Sequence, residues 1–344
     1  MTSRTGLAVA LAASITVALL PELPQPAPDR PFTVATTPGN LPDGTPYTPL
    51  AFLDDGATLG VAQDAATLKL LLRPPGAPPV TLRALPVAGS PRIIGLTATA
   101  RATVWAEADA VDTTGVARIW RAGPRGEDPT LLTTDTGKLV ATESTHDVEQ
   151  LDDKACWAAT LPTTTEIRCV PLSGGPVSKT PLRGVYALAG WPWATESEIE
   201  KPGSTHLVDV TTGERRTVRG EAVELIDCTA AWCRVQVLRQ GGTAHLDLLH
   251  PSGAPRLRVG PGLRPAVPDV VLHDRYAPLF RATPDGEVLC VHDTATNRLV
   301  DIATGTGTVL AGGSKLWWST GANTALTWHV LDLTTLAAGG PAAP

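Results

Sequence analysis

One short pattern recurs along this chain: alternating apolar residues, a tight turn, then a second alternating run. HLVDVTTGERRTV (206–218) shows it most clearly, and AHLDLLHPSGAPRLRV (244–259) repeats it with a longer turn. EVLCVHDTATNRLVDI (287–302), ARIWRAGPRGEDPTLLTT (117–134), EIRCVPLSGGPVSKTPL (166–182) and LKLLLRPPGAPPVTLRAL (68–85) follow the same form, and LTWHVLDLTTL (326–336) is a half-unit. Anchored on one central residue each, the units fall at Leu70, Ile119, Cys169, Val208, Asp247, Cys290 and Leu331, spaced by 39 to 50 residues and averaging 43.5. Strict alternation of apolar and polar residues is the period of a half-buried strand. With 32 Gly and 32 Pro among 344 residues, long helices have little room.

A period of 40 to 50 residues with four short strands per unit is the signature of a β-propeller. Further strands precede the anchors: RIIGLTA and ATVWAEA before Ile119, VYALAG and WPWATE before Val208, GTVLAGG and KLWWSTG before Leu331. The final half-unit lacks an outer strand, and PFTVATT (31–37) is its natural supplier. Such pairing would close the ring and remove an exposed edge. The expectation is an all-β fold: a propeller of seven four-stranded blades, closed by an N-terminal strand on the last blade, over residues 31–336. Six blades follow if RATPDGEVLCVHD (281–293) forms first and second strands and RLVDIATG the third.

AFLDDGATLGVAQD (51–64), with an Asp-Gly turn between two strands, resembles the repeat of TolB-type propellers, and RATPDGEVLC (281–290) is a partial second match. The chain is similar to the TolB-like and WD40-like propeller superfamily over roughly residues 31–335. Through CTAAWCRV, LWWSTG and TWHVLDLTTL it also resembles exported propeller proteins of actinobacterial type. The resemblance implies binding rather than catalysis.

At the N-terminus, Arg4 precedes GLAVALAASITVALL (6–20), fifteen residues without a charge. This matches a secretory signal. As a helix it would reach about 22 Å, short of the roughly 30 Å hydrocarbon core. Residues 1–20 are therefore expected to be a signal peptide or short membrane anchor, 21–30 a Pro-rich linker and 337–344 a disordered tail. Export places the protein outside the cytoplasm, secreted or anchored, with membrane contact only through residues 6–20 if they are uncleaved.

The five cysteines bear on compartment and chemistry together. Cys228 and Cys233 in DCTAAWCRV have no matching second pair, as a zinc knuckle requires. Their four-residue spacing in a strand-rich region also fits a redox C-x-x-C poorly. The midpoint of Cys156 and Cys169 falls in the turn LPTTT, and that of Cys228 and Cys233 at Ala230–Ala231. Each pair should face across a hairpin, within reach of a disulfide in an oxidising compartment. Cys290 remains as a buried thiol.

Trp105, Trp157, Trp232 and Trp317 are read in second strands, packing blade on blade. Trp191, Trp193, Trp317 and Trp318 are also candidates for a ligand-facing rim, with Asp109, Asp112, Glu196 and Glu198 on loops joining second to third strands; STHDVEQ (144–150) is a weaker acidic candidate. The seven histidines are scattered. No G-x-S-x-G elbow, P-loop or dinucleotide fingerprint is present, and no residues remain for a hydrolase domain. The net charge of −6 carries no basic stripe, which excludes nucleic acid as a partner. No metal or cofactor is expected. The function expected is a non-catalytic interaction scaffold for another protein at the cell envelope. The alternatives are a ligand-binding or sensory propeller, or a lyase- or lactonase-type enzyme with its site in the central funnel.

Overall fold

The computed structural model describes residues 32–109, 117–197, 202–240 and 242–338. Twenty-nine described strands form seven antiparallel sheets, six of which take up consecutive strands of the chain. Blade one is Tyr47–Phe52, Thr58–Gln63, Thr67–Arg73 and Val80–Pro86; blade two is Pro91–Ala98, Thr103–Asp109, Ala117–Ala122 and Thr130–Thr133. Blade three has an inner edge in two pieces, Lys138–Leu139 and Val148–Gln150, both paired to Lys154–Thr160 and followed by Thr164–Pro171 and Ser178–Arg183. Blade four is Tyr186–Leu188, Trp193–Glu196, Thr205–Asp209 and Arg215–Val218. Blade five is Glu224–Cys228, Cys233–Arg239, Gly242–Leu249 and Arg256–Gly260.

Blade six is Leu263–Pro265, Tyr276–Thr283, Gly286–Asp293 and Arg298–Thr304. The Asp285-Gly286 turn therefore joins second and third strands, and the six-blade register is not the one adopted. Blade seven is Val309–Gly312, Lys315–Thr320 and Thr327–Asp332, and Val34–Pro38 adds its outermost strand in the register Val34↔Leu331 to Pro38↔Thr327. The seven-bladed ring closed by an N-terminal strand is as the repeat predicts. All seven anchor residues lie on the third strands of their blades.

Second and third strands are sandwiched between neighbouring blades, so both of their faces are apolar. Lys154–Thr160 buries five consecutive residues, whereas the outer strand Ser178–Arg183 buries only Leu182. Tryptophans fill these interfaces. Trp105 is fully buried with Leu70 of blade one, and Trp157 packs with the blade-two cluster around Ile119. At the closure, Trp317 Nε1 donates to the Pro49 carbonyl at 3.0 Å and Trp328 Nε1 to that of Tyr47 at 2.8 Å, tying blade seven to blade one.

Both expected disulfides are present. Cys156–Cys169 and Cys228–Cys233 each join directly opposed partners of an antiparallel pair. Cys290 is buried and unbridged, its thiol donating to the Leu279 carbonyl at 3.3 Å, and burial pushes its pKa up to about 12. Trp232 sits in the turn ahead of the second strand of blade five rather than in the strand, with its ring edge-to-face on His250. Residues 1–31, including the apolar segment 6–20 expected to direct export, and 339–344 lie outside the described residues.

Candidate functional site: the central funnel and its cross-channel bar

A cavity of about 800 Å³ takes its lining from all seven blades, including Asp54, Arg92, Glu149, Trp191, Thr229, Asp274 and Lys315. It is the central channel, reached at the end where first strands turn into second strands. Turns at that end use two to five residues in six blades, but ten in blade six, residues 266–275. The long turn is anchored by buried Val267, Val270, Val271 and Leu272, and it reverses through left-handed His273 and Asp274, φ 54° and 53°.

Opposite it, the chain entering the inner strand of blade three forms a second loop. The Asp147 carboxylate folds this loop by accepting from the Thr142 amide at 2.9 Å, the Thr142 hydroxyl at 2.7 Å and the Glu143 amide at 2.9 Å. Burial raises the Asp147 pKa against these hydrogen bonds, helped by the nearby charge of Asp269. The two loops meet. Ser144 Oγ and Thr145 Oγ1 donate to Asp269 Oδ1 at 2.9 and 2.8 Å. Blades three and six are separated by two blades on one side of the ring and three on the other, so these bonds bar the channel.

Arg234 of blade five holds the other end of the bar. Its guanidinium donates to the carbonyls of Pro268 and Asp269 at 3.0 and 3.3 Å and to Asp227 Oδ2 at 2.7 Å. Burial raises the Asp227 pKa, as does the charge of Asp269, against the attraction of Arg234. His146 completes the cluster. Its Nδ1 lies 2.6 Å from Glu149 Oε1 and its Nε2 3.7 Å from Asp269 Oδ1. A carboxylate can only accept, so Nδ1 carries a proton toward Glu149. Burial opposes charging the ring, but Glu149, Asp269 and Asp147 together hold its pKa above the usual histidine value.

These bonds hold the two loops to each other. The Ser144 hydroxyl is given to Asp269 and the His146 ring to Glu149, so the hydroxyl–imidazole bond that activates a nucleophile is not formed. Among the described residues, no three His, Cys, Asp or Glu side chains are grouped to hold a metal ion.

The residues singled out from sequence divide. Trp191 lines the funnel, half-buried, with the Lys154 ammonium 5.4 Å from its ring centre. Trp193 lies under the Arg216 guanidinium at 4.1 Å and packs on the blade-five cluster. Trp317 and Trp318 are both buried between blades, Trp317 edge-on to Phe52 and also contributing to the funnel lining, Trp318 stacked on His329 and away from the funnel. Asp109 lines neither the funnel nor its side chamber and lies 3.7 Å from Arg118. Glu196 lines a side chamber off the bar. Asp112 and Glu198 lie outside the described residues. The segment 144–150, the weaker candidate, is the one brought to the centre. Asp227, Arg234 and Asp269 were not singled out, although the unusual ten-residue spacing in blade six was visible.

No protein-family model matches the chain, and no curated protein does. Solved structures do. A puromycin-hydrolysing peptidase of Mycobacterium tuberculosis aligns at 14% identity and TM-score 0.55 over 91% of this chain and 56% of its own. An uncharacterised protein of Listeria monocytogenes aligns at 10% identity and TM-score 0.53, covering 88% of this chain and 95% of that one. The propeller domain of the trilobed protease from Pyrococcus furiosus aligns at 10% and 0.51, over 83% and 95%. The likeness is one of fold. The chain spans about half the length of the peptidase structures it matches, 48% of a prolyl endopeptidase and 56% of the puromycin-hydrolysing enzyme.

Proposed function

We propose that the protein is a non-catalytic propeller of an extracytoplasmic compartment, a scaffold that holds a partner protein at the funnel mouth. The observation that supports this reading is a roomy funnel that ends on a bar whose carboxylates, Asp147 and Asp269, already accept hydrogen bonds from within it. A floor of that kind offers shape and charge rather than a reactive group. Two disulfides fit an oxidising compartment. No described helix is long and apolar enough to cross a membrane.

The mouth also has a sign. Its lining carries the carboxylates of Asp54, Glu143, Asp147, Glu149 and Asp274 against the full cations Arg92 and Lys315. A concave acidic surface focuses potential and draws a positively charged segment, so the partner segment is basic. Neutralising two of the exposed carboxylates, Asp54→Asn with Asp274→Asn, should reduce partner recovery severalfold in a quantitative pull-down from envelope extract. Raised salt should reproduce the loss with the unaltered protein. Equal recovery by both proteins at every salt concentration would reject the mouth as the binding surface.

A further inference from the structure

Beside the funnel lies a smaller chamber of about 250 Å³, walled by the inner strands of blades four and five and by the bar. Ser144 and His146 of the bar line both cavities, so the bar is part of the partition between them. Three side chains of the blade-three loop tie it to Asp269 of blade six. Two are the hydroxyls of Ser144 and Thr145, which donate to Asp269 Oδ1 at 2.9 and 2.8 Å and do not titrate. The third is the ring of His146, which stands between Glu149 Oε1 at 2.6 Å and Asp269 Oδ1 at 3.7 Å.

The two ring nitrogens face different blades, and this decides which tie titrates. Glu149 follows in the inner strand of blade three and keeps the Nδ1 proton in both states of the ring. The proton that comes and goes is therefore the one on Nε2, facing Asp269. With it, the ring is a cation between two carboxylates and draws the blade-six turn toward blade three. Without it, the ring turns a lone pair toward Asp269, and attraction across the channel is lost.

The other charges around the ring do not replace that cation. Asp147, on the same loop, is a third carboxylate, and His273 and Asp274 continue the blade-six turn out to the mouth. Blade four brings backbone at Gly190 against the ring and Glu196 to the chamber wall. The neighbouring cations are already engaged: Arg234 with Asp227 of blade five at 2.7 Å, Arg92 of blade two with Glu143 at 2.8 Å, and Lys154 on the Trp191 ring. Burial works against a charge on His146, yet Glu149, Asp269 and Asp147 hold its pKa above the usual histidine value. The tie is thus full below about pH 6.5 and is lost as pH rises through the raised value.

We propose that the bar is a pH-operated latch, in which the His146 cation pins the blade-three loop to Asp269 and keeps funnel and chamber apart, and loss of the Nε2 proton loosens the loop and lets the two cavities join. The latch belongs to the protein alone and does not rest on capture of a partner at the mouth.

Hydrogen–deuterium exchange of the full chain between pH 6 and 9, corrected for the intrinsic pH dependence of exchange, tests the proposal. It is read at residues 142–147, where the Thr145 amide itself donates to Asp269 at 3.3 Å. Protection there should fall roughly threefold or more as pH rises, as the loss of a partly buried ion pair implies, and Thr58–Gln63 of blade one should show no step. His146→Gln keeps a donor for Glu149 but has no charge to lose, so its loop should show the low protection at every pH. Asp269→Asn keeps an acceptor for the two hydroxyls without the charge and should abolish the step as well, which preserves the test if His146→Gln does not fold. Protection that is constant with pH, a step that survives either substitution, or an equal step in blade one would each overturn the latch. No partner is present in this measurement, so its outcome is independent of recovery at the mouth.

Discussion

Gly95 interrupts the inner strand of blade two at φ 57°, where the register with the second strand shifts between Ile94 and Thr97. A Cβ there would stand 2.7 Å from the Val148 amide nitrogen, so only glycine lets blade three's inner strand approach. Thr97 uses that approach to donate to the Val148 carbonyl at 3.1 Å. Left-handed backbone costs a side chain roughly 1–2 kcal/mol even without a clash, so Gly95→Ala should lower stability by about 2 kcal/mol or more. Urea denaturation checks this, and an unchanged midpoint would contradict the close approach. His146 makes a prediction in pH. Its pKa is raised in the fold by Glu149, Asp269 and Asp147 against burial, so its protonated form is favoured by folding. The stabilisation is full below the unfolded value of about 6.5 and is lost as pH rises through the folded value. Unfolding free energy should therefore fall as pH rises from neutrality, and His146→Gln should flatten that step; a step that survives the substitution would assign it elsewhere.

Hairpins were the most legible elements in the sequence because they are local. Cysteines equidistant from a turn must oppose each other, and Cys156↔Cys169 and Cys228↔Cys233 are paired in register. In the chain-entropy picture, their separations of 13 and 5 residues correspond to about 3 and about 2 kcal/mol of stabilisation. Denatured, unreduced protein should accordingly show one reactive thiol, Cys290; five would refute both bridges. The closing strand was legible because the last unit was one strand short. The tryptophans were half-legible: Trp105 and Trp157 pack between blades as their strand position implies, but a paired Trp317–Trp318 reads equally as rim or core until the strand's two faces are both seen to be covered. The bar was hidden for a plainer reason. Ser144 and Asp269 are 125 residues apart and belong to irregular loops, where no periodicity registers a contact. Deleting residues 1–38 removes Val34–Pro38 and bares the edge of its partner in blade seven, the strand Thr327–Asp332. The truncated protein should melt earlier and scatter light on heating, as an unpaired edge invites association; an unaltered melting curve would show that closure does not need this strand.

At the scale of the whole molecule, the ring is held by local sheets, by tryptophan-filled blade interfaces and by one long-range tie across the channel. That tie gives the propeller two unlike compartments: an open acidic mouth, and a smaller side chamber beside the bar. The fold was accessible from repeat spacing and the disulfides from cysteine placement, whereas the working surfaces depend on which loops the ring brings face to face. A photo-crosslinking amino acid at position 274, on the mouth, compared with one at position 131, on an exposed outer strand, tests the central claim most directly. Irradiation in envelope extract should give a discrete protein adduct from position 274 and none from position 131. Adducts from position 131 alone would place recognition on the outer edge and contradict it.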